Sequence, residues 1–205
     1  MFTHGLSPNM REKYEEEINK MRKWIIPIAV LVILALMLVS GYNSLVAISE
    51  NVDGKWSQID NQLQRRADLI PNLVATVKGY AAQEQEIFTQ VAESRAKLAG
   101  ARTPAQAAEA NQEVGGALSR LLAISEAYPQ LKSDANFRQL SDELAGTENR
   151  IATARKDYND AVQVYNAKIK RIPTALYAGI FGFEPREYFQ TTAEAKKNPQ
   201  VDFSK

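Results

Sequence analysis

Any chemistry in this chain has to come from carboxylates, hydroxyls and amides, because it holds a single histidine, His4, and no cysteine. Most general acid/base catalysis and most transition-metal sites draw on imidazole or thiolate. Without cysteine there is no disulfide framework, thiol nucleophile, Cys-based zinc site or iron–sulfur cluster. A di-iron centre in a helical protein needs inward Glu residues and Glu-x-x-His pairs on facing helices, and His4 lies in an N-terminal arm, separated by an apolar run from the carboxylates of the helices that follow. Those carboxylates scatter among Lys and Arg, as a solvated surface does. The sequence contains no phosphate loop, no G-x-G-x-x-G and no G-x-S-x-G elbow. The expectation is a protein without catalytic residues, cofactor or metal.

The side chains that do stand out suit recognition. Arg65 and Arg66 stand side by side, followed by Asp68. They could grip an acidic partner, or pair with Asp60 and with carbonyls at a helix end. A second group lies in residues 173–189, PTALYAGIFGFEPREYF, where Tyr177, Phe181, Phe183, Tyr188 and Phe189 concentrate aromatic surface. Such a segment suits a membrane interface or a partner protein; equally, Leu176, Tyr177, Ile180, Phe181 and Phe183 could close the open end of a helical core.

The elements that must position these groups begin with an uncharged run from Trp24 to Tyr42. As a helix it is about 28 Å long, close to the hydrocarbon thickness of a bilayer. Pro27 falls in its first turn, and Trp24 and Tyr42 mark its ends. A cleaved signal peptide shares the pattern of basic residues before an apolar run, but this run is long and no A-x-A-like site follows, so a retained signal anchor fits better. Arg11, Lys13, Lys20, Arg22 and Lys23 precede the run, and the first basic residue after it is Lys55. This bias places residues 1–23 as a cytoplasmic arm, residues 24–42 as a single-pass span, and the rest outside. Within the arm, Met10, Tyr14, Ile18 and Met21 form a helical stripe that is either a small docking surface or a solvated juxtamembrane helix. The 25 Lys and Arg nearly cancel the 24 Asp and Glu, which argues against a nucleic-acid partner.

Beyond the span the apolar spacing is helical throughout. Leu45, Ile48, Val52, Trp56, Ile59 and Leu63 line a first helix. A turn is expected at residues 65–68, where Asp68 can cap a second helix with Pro71 in its first turn. Ile70, Leu73, Val77, Tyr80, Ile87, Val91 and Leu98 carry the seam of that second helix, interrupted by Glu84. Thr103-Pro104 opens a third, whose stripe runs from Ala107 to Tyr128 past Gly115-Gly116, a weak point or a close crossing. Tyr128-Pro129 ends it, and Ser133 can cap a fourth helix that Pro173 limits. The expected fold is all-α: a single transmembrane helix continuing into an antiparallel up-down four-helix bundle over 43–172. A membrane-proximal apolar segment at 173–189 and a mobile tail at 190–205 follow. This places Arg65 and Arg66 at a distal tip and residues 99–103 in a membrane-proximal loop.

Within this frame Trp56-Ser57-Gln58-Ile59-Asp60, Gln64-Arg65-Arg66, Asp68-Leu69-Ile70-Pro71-Asn72-Leu73-Val74 and Val77-Lys78-Gly79-Tyr80-Ala81 resemble the signature of the LemA family. Glu126-Ala127-Tyr128-Pro129, Thr147-Glu148-Asn149-Arg150-Ile151 and Tyr158-Asn159-Asp160-Ala161-Val162 extend the resemblance, which spans 42–189. It implies a bacterial membrane-anchored protein with a short N-terminus inside and a helical domain outside, without catalytic residues, and with links to envelope proteins such as integral-membrane proteases. Ala67 stands where the family commonly has an aromatic, Gln83 where His is frequent, and the cytoplasmic arm is longer than usual. The resulting expectation is a non-enzymatic, self-assembling scaffold of the cell envelope, with the lipid bilayer and its own copies as partners. The alternative is an adaptor or regulator of an integral-membrane protease or other envelope protein. Candidate partner contacts are Arg65, Arg66, Tyr177, Phe181, Phe183, Tyr188 and Phe189.

Overall fold

A computed structural model describes residues 8–190, and within them every regular element is helical. His4 and the tail expected to be mobile from residue 191 onward lie outside the described residues. Two compact units divide the chain, Met1–Ala47 and Ile48–Lys205. Helix α1 (Pro8–Lys78) contributes to both.

In the first unit α1 carries the apolar run, and it is long and apolar enough to cross a membrane. Its large side chains point outward, Trp24 being 73% exposed and Leu31 68%. Exposed to water this surface would cost on the order of 25 cal/mol per Å², a cost that a hydrocarbon surrounding removes. Met10, Tyr14, Ile18 and Met21 are also exposed on this helix.

The second unit consists of the remainder of α1, α2 (Gln85–Gly100), α3 (Pro104–Ala123), a short α4 (Pro129–Ser133) and α5 (Ala135–Lys170). The predicted seams are buried at Val52, Ile59 and Leu63; Ile70, Leu73 and Val77; Ala107, Val114 and Leu121; Leu144, Ile151, Tyr158 and Tyr165, whereas Tyr80, predicted on the second seam, lies past the end of α1 and is exposed. Polar pairs set the register. Lys55–Asp157, Arg65–Glu143 and Tyr80–Asp134 run α5 antiparallel to α1. Lys97–Glu113 and Gln90–Arg120 do the same for α2 and α3. Thr103 caps α3 as its sequence predicts, its hydroxyl accepting from the Gln106 N–H at 3.2 Å.

The turn expected at residues 65–68 does not exist. Helix α1 continues through these residues to Lys78, and the chain reverses at 79–84. Asp68 therefore caps nothing and accepts from Gln64 Nε2 at 2.8 Å along the helix. A proline in a helix interior normally costs about 3 kcal/mol, in part because the carbonyl four residues earlier loses its donor. For Pro71 that carbonyl belongs to buried Ala67, and Arg95 Nε of α2 donates to it at 2.8 Å. A tertiary bond thus replaces the missing backbone bond.

Other expectations change with the shifted turn. Glu84 does not interrupt a buried seam; it is the residue before α2, half-buried, and accepts from the Tyr128 hydroxyl at 3.4 Å. Asp134, not Ser133, caps α5, accepting from the Phe137 N–H at 2.9 Å. A Cβ on Gly116 would meet nothing within 4 Å and one on Gly115 only Arg66 Nη2 at 3.6 Å, so no backbone crossing requires either glycine. The loop at 101–103 follows a helix of only 16 residues, whose Arg95 lies level with Ala67. It therefore falls partway along α1, not at the end where the chain enters the unit.

Candidate functional site

Arg65 and Arg66 are not at a tip. Both lie in the middle of the second unit's stretch of α1, facing different surroundings. Arg66 is buried, 5% exposed, between α3 and α5. Its Nη1 donates to Asn111 Oδ1 at 2.8 Å and is ion-paired with Glu148, whose side chain is half exposed. Its Nε has no hydrogen-bond partner among the described residues. Burial lowers the Arg66 pKa and Glu148 raises it, but a guanidinium remains a cation throughout. The absent side chain of Gly115 leaves room beside Arg66 Nη2. Arg65 is exposed and pairs with Glu143 at 2.7 Å, not with Asp60. It borders a surface groove with Arg138, Asp142, Glu143 and Arg150, where both signs of charge alternate.

The C-terminal segment is tied down at residues 186–189. Asn166 brackets Arg186, donating to its carbonyl and accepting from its N–H, each at 2.9 Å. Asn159 does the same for Phe189 at 3.2 and 2.9 Å. The Tyr158 hydroxyl donates to the Glu187 carbonyl at 2.8 Å, and Arg186 reaches Asp53 at 3.1 Å and Ser49 at 3.3 Å. Phe189, 2% exposed, packs on Trp56, which also packs on Tyr158. Burial pushes the Tyr158 hydroxyl up to about 12, opposed by the nearby Arg186. This strap covers the part of α1 and α5 that the shorter α2 and α3 do not reach.

The aromatic residues of 173–189 therefore divide. Tyr177 and Phe189 belong to the core, which corrects their assignment as outward contacts, as burial does for Arg66. Phe183 and Tyr188 are half-buried. Phe181 is 51% exposed, its ring edge-on to Tyr177 at 6.1 Å. Leu176 and Ile180 are exposed and do not close the core.

Side chains that the sequence did not single out as partner contacts carry much of this architecture. Arg95, Asn111 and Glu148 had no local signal, since each acts across helices. Asn159 and Asn166 had one: seven residues apart, they share a helix face at two turns' distance. Gln83, standing where the family often has His, donates to the Tyr128 hydroxyl beside Glu84. Chemically, these groups hold helices and backbone together through hydrogen bonds and charge.

The chain is 33% identical over 175 residues to Magnetosome protein MamQ 2, and equally to Magnetosome protein MamQ 1, of Paramagnetospirillum magneticum (strain ATCC 700264 / AMB-1). It is 29% identical over 174 residues to Magnetosome protein MamQ of Magnetospirillum gryphiswaldense. These alignments cover 73%, 73% and 72% of this chain, and it spans 64% of the length of each relative. A family model described as LemA family matches residues 55–203, and the chain belongs to the LemA family.

Proposed function

We propose that the protein is a non-enzymatic scaffold of the bacterial cell envelope, anchored in the inner membrane by residues 24–42 and assembling with its own copies. In this reading residues 1–23 face the cytoplasm, and the second unit stands outside as an antiparallel bundle of α1, α2, α3 and α5. The observation that carries it is the unbroken α1: the apolar run and the first helix of the second unit are one helix, Pro8–Lys78, without a linker. Buried Arg66 and Tyr158 and half-buried Asn159 support the same reading, because all are engaged in holding elements together. The relatives are named for a cellular structure, the magnetosome, and not for a reaction.

Light scattering on the full chain in nanodiscs tests the assembly. A discrete multimer whose mass is stable on dilution is expected. A monomer at all concentrations would refute self-assembly and leave the adaptor of an envelope protein as the reading to pursue, by crosslinking in the membrane.

A further inference from the structure

After α5 the chain makes a compact turn with two unlike sides. Thr174, Tyr177 and Ala178 pack inward at 4%, 7% and 3% exposure, while Ile172, Leu176 and Ile180 project outward at 81%, 71% and 82%. The turn is held by its own backbone: Ala175 N–H to Arg171, Ala178 N–H to Thr174, Phe181 N–H to Tyr177 and Phe183 N–H to Ala178. Gly182 supplies the left-handed step, φ +78°, that ends it. Three large aliphatic side chains are therefore displayed in an ordered arrangement, which water alone does not favour.

The neighbouring charges indicate what covers them. Lys170 and Arg171, both exposed, precede the apolar residues and form no ion pair among the described residues; Lys168 lies one turn earlier. Basic residues beside outward aliphatics and an aromatic ring make the composition of an interfacial lipid contact. The position within the second unit agrees. Arg186 joins Asn166 to Ser49 and Asp53, so this part of α5 lies level with the start of the unit. Running antiparallel to α1, α5 then heads past Asn166 toward the end at which the chain enters from the apolar run.

We propose that Ile172, Leu176 and Ile180, flanked by Lys170 and Arg171, insert into the headgroup–acyl boundary of an anionic lipid surface, giving the protein a second membrane contact besides its span. The inference rests on residues 24–42 spanning the bilayer.

The absence of cysteine permits a direct test. The full chain carrying Ile180→Cys is labelled with an environment-sensitive fluorophore and placed in phosphatidylcholine/phosphatidylglycerol nanodiscs with or without nitroxide-bearing lipids. Leu34→Cys serves as the span control and Gln130→Cys as the aqueous control. Ile180 is so exposed that its replacement leaves the fold intact. The expected result is a blue shift at position 180 and loss of emission with nitroxide lipids, both approaching those at 34, with the quenching reduced by Lys170→Glu with Arg171→Glu. A label at 180 that behaves like the one at 130 overturns the inference while leaving the span intact. A blue shift without quenching overturns it too, and assigns the patch to a protein surface such as a second copy. If position 34 is itself unquenched, the membrane span and this inference fall together.

Discussion

Arg65 and Arg66 show how far adjacent residues of one type can differ. Arg65 makes an exposed pair with Glu143, the kind worth about 0–1 kcal/mol, so Arg65→Ala should leave the thermal or urea midpoint nearly unchanged. Arg66→Ala removes a buried cation, strands Asn111 and opens space beside Gly115, and should cost about 2–4 kcal/mol. Circular dichroism melts of the two variants in the same detergent compare them directly; equal losses would contradict the packing described for Arg66. Titration adds a second test at this scale. The Asp134 carboxyl is held below the usual range first by the Phe137 N–H and then by the Tyr80 hydroxyl. Its contribution is therefore present above the unfolded value near 3.9 and lost as pH falls through the lower folded value. Tyr158 is the opposite case: its folded value of about 12 means stability that is full below about 10 and lost as pH rises toward 12. Tyr158→Phe should flatten the alkaline limb of the pH–stability curve and leave the acid limb unchanged, whereas Asp134→Asn should flatten the acid limb and, because Asp134 also raises the Tyr80 hydroxyl, part of the alkaline one.

Among the elements, α1 depends most on its surroundings. Pro71 interrupts its ladder at Ala67, and Arg95 from α2 closes the gap. Arg95→Ala should cost about 1–3 kcal/mol by leaving a buried carbonyl unpaired. Pro71→Ala restores the N–H, so the same Arg95→Ala change made in that background should cost much less. A double-mutant cycle from urea unfolding should show a coupling of about 1–2 kcal/mol; additive effects would mean that Arg95 does not serve that carbonyl. The same geometry explains why Asp68-x-x-Pro71 reads as a helix start without being one. The local pattern is that of an N-cap and an early proline, and only a side chain from another helix lets α1 pass through it.

The second unit as a whole has two regimes. Toward Lys78, α2 and α3 cover α1 and α5; toward Ser49, the strap at 186–189 takes their place. Phe189→Ala should cost about 3–5 kcal/mol if felt globally. The loss should concentrate at the strap: faster amide exchange at 186–190 and in the α1 and α5 turns around Trp56 and Tyr158, with α2 and α3 unchanged. Uniform acceleration across all helices would show instead that the two regimes unfold as one.

The helical class, the apolar run, the seams of α3 and α5 and the Thr103 cap are all legible in the amino-acid order, because each depends on residues within a few turns of one another. Periodicity of three and four reports a buried face whatever covers it, and a long uncharged run reports a hydrocarbon-length helix by its composition. Where α1 ends is a tertiary matter, since the bond that carries it past Pro71 comes from Arg95, remote in sequence. Periodicity runs unchanged through 65–68 and gives no sign of whether a turn lies there. The same holds for 173–189: its aromatic content is plain from composition, but which rings enter the core is set by Asn159 and Asn166 holding the returning backbone. Burial is a property of partners, and the partners of Phe189, which are Trp56 and Asn159, come together only once α1 and α5 stand side by side.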